Sequence, residues 1–403
     1  MARAVWFSAE SRVVLFSAVG SLPLHLTAVL ASTASGVGGV APGVLASAAL
    51  LGLFASSSLR SFGVVERFWR LWADELRSIV RHPFVTISLH VGVLLALPFL
   101  TGPLSLAGWF AVGWISGIYM FNGMVAAASG ASKFLGFMAR LSAAMVLAGI
   151  IAMAVQWIDA SVPYTRLCVA YAVVILAVAL ILRPDGRILS AEIPSRPEIA
   201  SNRGEQYVAL AGLLGFFMAA LMFVSNIGTF LDAGQSLIDR TAGSVGLSKI
   251  AAGVILSLTV ALWGRDSTAR LLVTATALII SMGLLDGAAG VAISLVILVA
   301  FEIALNIGGS AAMAEVARVG SPFVKRMIPT MGLAGVAAGP LVGAALLSLG
   351  SPAWVRWGAM LVMAVSVAAI VGVHRVAVAR QRRWAEGRDT TPGNGDTMAL
   401  ATR

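Results

Sequence analysis

The residues best able to do chemistry are ionisable or polar side chains set inside apolar stretches. Glu302 lies in the run VAFEIALN, and Asn306 follows one helical turn later on the same face. Apolar surroundings disfavour the charged form of a carboxyl group, so Glu302 could take up and release a proton. The alternative is a permanently protonated Glu302 that hydrogen-bonds across helices. His25, after Pro23, could likewise exchange a proton or contact a substrate, or it could pack as a neutral ring.

Further candidates for contact with a small molecule combine hydrogen-bonding groups with aromatic rings. They are Ser225, Asn226, Trp114, Tyr119 and Asn122. Catalytic and metal-binding patterns are not found. The four His residues are scattered, the single Cys168 cannot build a cysteine metal site, and there is no nucleotide loop or nucleophile elbow. We therefore expect no enzyme activity, no metal and no cofactor.

The composition indicates an integral membrane protein. Of the 403 residues, 59% are hydrophobic and 11% are charged, where soluble domains carry roughly 25% charged residues. The mean hydropathy is +0.93. A membrane helix needs about 20 apolar residues, so the fold class should be all-α and polytopic. Twelve transmembrane helices are predicted, at 12–32, 38–57, 84–101, 104–124, 135–157, 164–182, 206–230, 243–264, 270–286, 288–309, 328–349 and 353–374.

The charge distribution predicts the orientation of these spans. Nearly all of the 28 basic residues fall on the side that holds both termini, and the other side holds Arg166, Arg240, Lys249 and Arg356. By the positive-inside rule both termini are cytoplasmic, so the net charge of +10 indicates topology rather than nucleic-acid binding. The preference for Arg over Lys, with abundant Ala and Gly, favours a bacterial inner membrane protein. No basic residue is expected at mid-span; Arg140 should reach to the membrane interface, and His90 should be structural.

The spans divide into two halves. Residues 1–182 form an N-terminal six-helix half, 183–205 a proline-containing cytoplasmic linker, 206–374 a C-terminal six-helix half, and 375–403 a tail that we expect to be disordered. Apolar residues at spacings of three and four over 59–82 predict an amphipathic cytoplasmic helix, which either covers neighbouring spans or senses lipid. Short turns, Thr101-Gly102-Pro103 and Asp286-Gly287, predict two tight helical hairpins.

Two loop sequences repeat at an offset of 200 residues. Glu66, Arg67 and Arg70 follow the second span, and Asp266 and Arg270 follow the eighth. With the six-plus-six arrangement, these loops resemble the major facilitator superfamily of secondary transporters over essentially the whole chain. The family motif is G-x-x-x-D-R-x-G-R-R. This chain departs from it at the leading Gly, where it carries Phe62 and Leu262, and at the second Gly, where it carries Trp69 and Ala269.

Span 11 also resembles a family pattern, G-x-x-x-G-P-x-x-G-G of span 5 in antiporters. Here it is carried by Gly335, Gly339, Pro340 and Gly343. Because small residues four apart let helix backbones approach, close helix packing is favoured over an antiporter-specific role.

The resemblance implies alternating access around a midplane site lined by spans 1, 4, 7 and 10, which carry the candidate residues. We expect proton-coupled efflux, by antiport, of an amphipathic or weakly cationic compound. The protein should be a monomer in the lipid bilayer, with a small-molecule substrate and the proton as partners. Open alternatives are proton-coupled uptake of a small solute, a non-transporting polytopic membrane subunit, and an enzyme acting on lipid.

Overall fold

The chain is described here by a computed structural model. It covers residues 16–33, 42–61, 83–127, 131–157, 163–182, 201–227, 230, 237–259, 267–285 and 291–389. Within these residues the regular secondary structure is helical, as predicted, and no strand occurs. Most of the predicted amphipathic helix and of the linker lie outside the described residues, as do four residues of the loop motifs, Glu66, Arg67, Arg70 and Asp266.

Besides a helical stretch at residues 16–20, the described residues contain twelve α-helices, each of which overlaps one predicted span in the predicted order. Their bounds are α1 Leu22–Thr33, α2 Pro42–Ser61, α3 Pro83–Ala96, α4 Pro103–Ala127, α5 Ala131–Trp157, α6 Pro163–Leu182, α7 Arg203–Val224, α8 Leu237–Thr259, α9 Ser267–Leu285, α10 Val291–Val319, α11 Pro322–Ser348 and α12 Pro352–Asp389. Seven of them, α4, α6, α7 and α9 to α12, are long and apolar enough to cross a membrane, and the protein is a multi-pass membrane protein.

Local sequence signals explain where several helices begin. Asn202 and Glu205 form a capping box at α7, in which Asn202 Oδ1 accepts the Glu205 N–H at 2.8 Å and Glu205 Oε2 accepts the Asn202 N–H at 3.0 Å. Between α3 and α4, a 3₁₀ helix, Leu97–Phe99, leads to Gly102, whose φ of 51° is suited to glycine. The predicted hairpin at this turn is confirmed.

The first six and last six helices meet mainly through two helix pairs, α5 with α8 and α2 with α11. Within the two groups, α2 packs closely on α4, and α7 packs closely on α11. The outer faces of several helices carry exposed large apolar residues, such as Ile181, Leu258 and Val296. Such a surface is suited to lipid, because lipid tails are as apolar as these side chains.

The glycines of α11 lie where that helix contacts α7. A Cβ atom on Gly335 would overlap the Leu214 carbonyl oxygen, and one on Gly339 would lie 2.8 Å from the Met218 carbonyl oxygen. Gly343 faces the Asn226 side chain in the same way, and Pro340 lies inside the helix. This geometry agrees with the close packing that the sequence favours.

The last helix is longer than predicted. The tail was expected to be disordered from residue 375, but α12 continues to Asp389, so that expectation is wrong for residues 375–389. Ala, Arg, Gln and Glu, which are good helix formers, dominate this stretch. The Arg380 guanidinium also pairs with Glu205 at the start of α7 through two hydrogen bonds, which holds the extension against the second group of helices.

Candidate functional site

A buried ion pair joins the middle of α8 to the middle of α10. Lys249 Nζ donates a hydrogen bond to Glu302 Oε1, and the two side chains are 2% and 7% exposed. Gly246 and Gly253, on either side of Lys249, bring α8 close to α5. The expectation that no basic residue occurs at mid-span is therefore wrong, because Lys249 turns into the helix bundle rather than toward a loop.

The sequence contains a signal that could have identified this lysine. Lys249 lies inside the predicted span 243–264, and an ionisable residue within a span calls for a partner in the bundle interior. The charge count places Lys249 among the loop residues, for which no partner in the bundle interior is required. Breaking a buried ion pair by removing one partner costs about 3–5 kcal/mol, so the pair strongly constrains how α8 and α10 pack.

Glu302 keeps one oxygen without a protein partner. Oε1 accepts from Lys249, whereas Oε2 is buried and has no hydrogen-bond partner among the described residues. Asn306 is buried beside it, but its Nδ2 donates to the Glu302 backbone carbonyl at 2.8 Å, within the same helix. A buried carboxyl oxygen without a donor marks a position for a proton or a ligand atom.

His25 and Arg140 extend the charged region onto α1 and α5. Both side chains are buried, and His25 lies within electrostatic range of Lys249 and Arg140. The Nε2 atom of His25 has no hydrogen-bond partner in the part of the chain that the structure describes. We call His25, Arg140, Lys249 and Glu302 the central cluster. Arg140 is 1% exposed, so its predicted interfacial position is wrong: its side chain lies inside the helix bundle, within electrostatic range of His25.

Other predicted site residues lie apart from the central cluster. Ser225 and Asn226 end α7, where Asn226 Nδ2 donates to the Met222 carbonyl at 2.8 Å and Ser225 Oγ donates to the same carbonyl at 3.4 Å. They therefore stand at a helix end beside α11, whereas Glu302 is near the middle of α10. Phe301 packs on Phe223 of α7, with ring centroids 5.4 Å apart.

The aromatic candidates of α4 have different surroundings. Tyr119 is 1% exposed and packs among Phe16, His90 and other residues of the first six helices, with its ring centroid 5.0 Å from that of Phe16. Its ring thus takes part in a contact between helices. Trp114 is half-buried next to Phe110, and the Asn122 side chain lies outside the described part.

A second buried carboxylate, Glu315, lies near the end of α10 and was not identified from the sequence. Ser267 Oγ and Thr268 Oγ1 of α9 both donate to its Oε1, the latter at 2.8 Å. His374 Nδ1 of α12 lies 2.8 Å from Oε2, and Arg318 Nη1 lies 3.6 Å from Oε1. We call these five residues the Glu315 cluster. The Glu315 and Arg318 spacing of three was the available sequence signal. Arg270 lies on α9, one turn beyond Ser267.

Comparison with known proteins gives structural matches only. No protein-family model and no curated protein sequence matches the chain. The human organic anion transporter MFSD10 (TETRAN) is similar with a TM-score of 0.58 and 14% identity, over 90% of this chain and 97% of that one. The proton:xylose symporter XylE, bound to 6-bromo-6-deoxy-D-glucose, has a TM-score of 0.59 and 12% identity, over 90% and 94%.

The E. coli fucose:proton symporter FucP is also similar. Its TM-score is 0.52 at 13% identity, over 92% of this chain and 98% of that one. These neighbours are transporters rather than enzymes, which is the class that the sequence predicts. At such low identity the matches establish the fold alone. The chain has the fold of major facilitator superfamily transporters.

Proposed function

We propose that the protein is a proton-coupled secondary transporter of a small amphipathic molecule, working by alternating access of its first six and last six helices. The observation that carries this proposal is the buried Lys249–Glu302 pair with its open Oε2 atom. We further propose a monomer in the bacterial inner membrane with both termini in the cytoplasm. The solved structures of the same fold include proton symporters and an organic anion transporter, which supports secondary transport.

The ion pair links proton binding to helix packing. Protonation of Glu302 removes the negative charge that compensates Lys249, so the contact between α8 and α10 weakens. Because α8 also packs on α5 of the first six helices, a change at the pair acts directly on the contact between the two groups. Proton uptake can in this way bias which side of the membrane the site faces.

Two directions of transport are compatible with such a carrier. Efflux by antiport, the direction favoured by the sequence, requires proton and substrate to compete for the site. Uptake by symport is the second candidate, and the ion pair specifically favours it, since a proton on Glu302 frees Lys249. A weakly cationic substrate is less well supported than the sequence indicated, because Lys249 already occupies the carboxylate.

The test is untargeted mass spectrometry of cells and medium from strains that express the wild type, Glu302→Gln or an empty vector. We expect at least one compound to differ in distribution between the wild type and the vector. In Glu302→Gln the gradient-driven accumulation should be lost, because Gln cannot carry the proton. Depletion inside the cells would identify efflux, and enrichment inside would identify uptake.

Glu205→Gln is the matched control, because it removes a carboxylate from the start of α7, away from the cluster. Membrane abundance is measured for every variant. If wild type and vector give the same distributions while the protein is present in the membrane, the transporter proposal is contradicted and the non-transporting subunit is favoured.

A further inference from the structure

The central cluster also indicates the chemistry of the substrate. We infer that the substrate is an organic monoanion, which pairs with Lys249 when Glu302 is protonated, so that one proton and one anion are carried together. This inference rests on the proposed function and adds to it the substrate class and the sense of the coupling.

The first step concerns the charge of Lys249. Its side chain is 2% exposed, and its ammonium charge is compensated by the Glu302 carboxylate. Once a proton converts that carboxylate to a neutral acid, a buried cation remains in surroundings from which water is largely excluded. A new anion at Nζ restores the compensation. Lys249 gives up one carboxylate in this exchange, so it takes one monoanionic group in return.

The second step concerns the neighbouring groups. Arg140 on α5 and His25 on α1 lie within electrostatic range of one another, and His25 is also within range of Lys249. The buried His25 Nε2 has no partner among the described residues and can donate or accept a hydrogen bond. Among the described residues, Glu302 is the acidic member of this cluster, beside the amide of Asn306. A substrate anion therefore meets cationic and hydrogen-bonding groups from several helices.

The remaining helices packed on α10 add no charged side chain, among the described residues, at the level of Glu302. On α7, α9, α11 and α12, the charged side chains that the structure describes lie in the first turns of the helix or at and beyond the level of Glu315. Those near Glu315 belong to the separate Glu315 cluster. Protonation at mid-bundle therefore concerns Glu302, with Lys249 paired to it and with His25 and Arg140 as the further charged or titratable groups of the central cluster.

The exchange is balanced in charge and atoms. A proton from water binds a Glu302 oxygen, the Lys249 N–H to carboxylate bond opens, and an oxygen of the anion accepts that N–H instead. On the other side of the membrane the anion leaves, Glu302 loses its proton, and the original pair forms again. Proton and anion move in the same direction, which their gradients determine. Cotransport can thus produce either uptake or efflux of an acid, but it excludes antiport.

The test uses the full chain in cells, with the host's own metabolites as the probe. Strains express the wild type, Lys249→Met, Lys249→Arg, or the double variant Lys249→Met with Glu302→Gln, beside an empty vector. The double variant leaves no buried charge unpaired at the pair, so it keeps the test valid if Lys249→Met does not fold. Compounds whose distribution between cells and medium differs between the wild-type and the empty-vector strain should be monoanions near neutral pH. Their accumulation should fall about tenfold or more in both Met variants, and Lys249→Arg should retain most of it.

A second measurement addresses the coupling. The purified full chain is placed in liposomes that contain a pH-sensitive dye, and the acid found in cells is added outside, with protein-free liposomes as the control. Internal acidification that accompanies uptake of the anion is the expected result. Alkalinisation, or uptake of the anion without a proton, would overturn the cotransport inference.

The outcomes in cells separate the two proposals. If the transported compounds are neutral or cationic, or if Lys249→Met still accumulates the monoanions, the substrate inference fails while the transporter proposal stands. If the double variant still accumulates them, the substrate inference fails together with the coupling role proposed for Glu302. If no compound differs in distribution between the wild-type and the empty-vector strain, although the chain is present in the membrane, both proposals fail together.

Discussion

Two buried carboxylates on α10 have different surroundings. Glu315 Oε1 accepts hydrogen bonds from Ser267 and Thr268, and its Oε2, which accepts none among the described residues, lies 2.8 Å from His374 Nδ1. Glu302 has Lys249 at one oxygen and no protein partner, in the described residues, at the other. Polar groups from three helices surround Glu315, and such a network rigidifies its surroundings, whereas Glu302 has a single polar side-chain partner, Lys249, among the described residues. We therefore expect a structural role for Glu315, and the functional role proposed for Glu302 stays a prediction.

This contrast predicts a stability effect at Thr268. Thr268→Val removes a donor to the Glu315 carboxylate and should lower the free energy of unfolding by about 1.5–3 kcal/mol, the range for hydrogen bonds to charged groups. Thr276→Val is the matched control, because the exposed Thr276 hydroxyl bonds only within α9, to the Leu272 carbonyl at 2.9 Å. Thermal unfolding of the purified protein in detergent measures both. Equal effects of the two substitutions would argue against a structural role for the Glu315 cluster.

Among the helices, the closest contacts are made where glycine replaces a side chain. The α7–α11 pair depends on Gly335 and Gly339, and the α5–α8 pair on glycines that include Gly149 and Gly246. Small residues at such contacts let backbones approach, and the resulting van der Waals packing contributes to helix association in lipid. Lys249 lies between Gly246 and Gly253, both of which contact α5. This position explains how its long side chain is enclosed in a tightly packed region.

The packing predicts different outcomes for two glycine substitutions. Gly335→Ala places a methyl group against the Leu214 carbonyl and should destabilise the protein by about 1–3 kcal/mol, the usual cost of overpacking. Gly92→Ala on α3 meets nothing within 4 Å and should be neutral or stabilising by about 0.5–1 kcal/mol, since alanine favours helix more than glycine does. Unfolding temperatures of the two variants provide the comparison. A Gly335→Ala variant as stable as Gly92→Ala would contradict the α7–α11 geometry.

At the scale of the whole molecule, the first six and the last six of the described helices meet through few helix pairs. Alternating access requires that at least one of these contacts opens during the cycle. The α5–α8 contact is well placed for this, because it adjoins the central cluster and carries Lys249. Its opening would expose the cluster to one side of the membrane.

A cross-link between α5 and α8 tests this movement. A Cβ atom on Gly246 would lie 3.2 Å from the Ala152 Cβ, so Ala152→Cys with Gly246→Cys can form a disulfide after a small adjustment. We expect oxidation to stop transport and reduction to restore it. The single-cysteine variants serve as controls, and the native Cys168 is buried. Transport that continues in the oxidised, cross-linked protein would show that α5 and α8 need not separate.

The sequence alone determined the helical class and the order of the helices. Apolar runs such as 104–124 and 328–349 predict α4 and α11, and the Thr101-Gly102-Pro103 turn predicts the α3–α4 hairpin. These features depend on neighbouring residues, because a chain in lipid must satisfy its backbone hydrogen bonds within each segment. The glycine spacing in α11 similarly indicated a packing surface before its partner helix was known.

Only the tertiary structure decided which side chains meet. Glu302 was recognised as a buried carboxyl, but its partner Lys249 lies 53 residues away on another helix, and the Glu315 cluster joins three helices. Tyr119 stays a candidate for contact with a small molecule, and the sequence does not indicate that its ring packs 5.0 Å from that of Phe16. Such contacts depend on the rotation of each helix about its axis and on its neighbours. Local hydropathy, which is high all around many of these helices, does not specify that rotation.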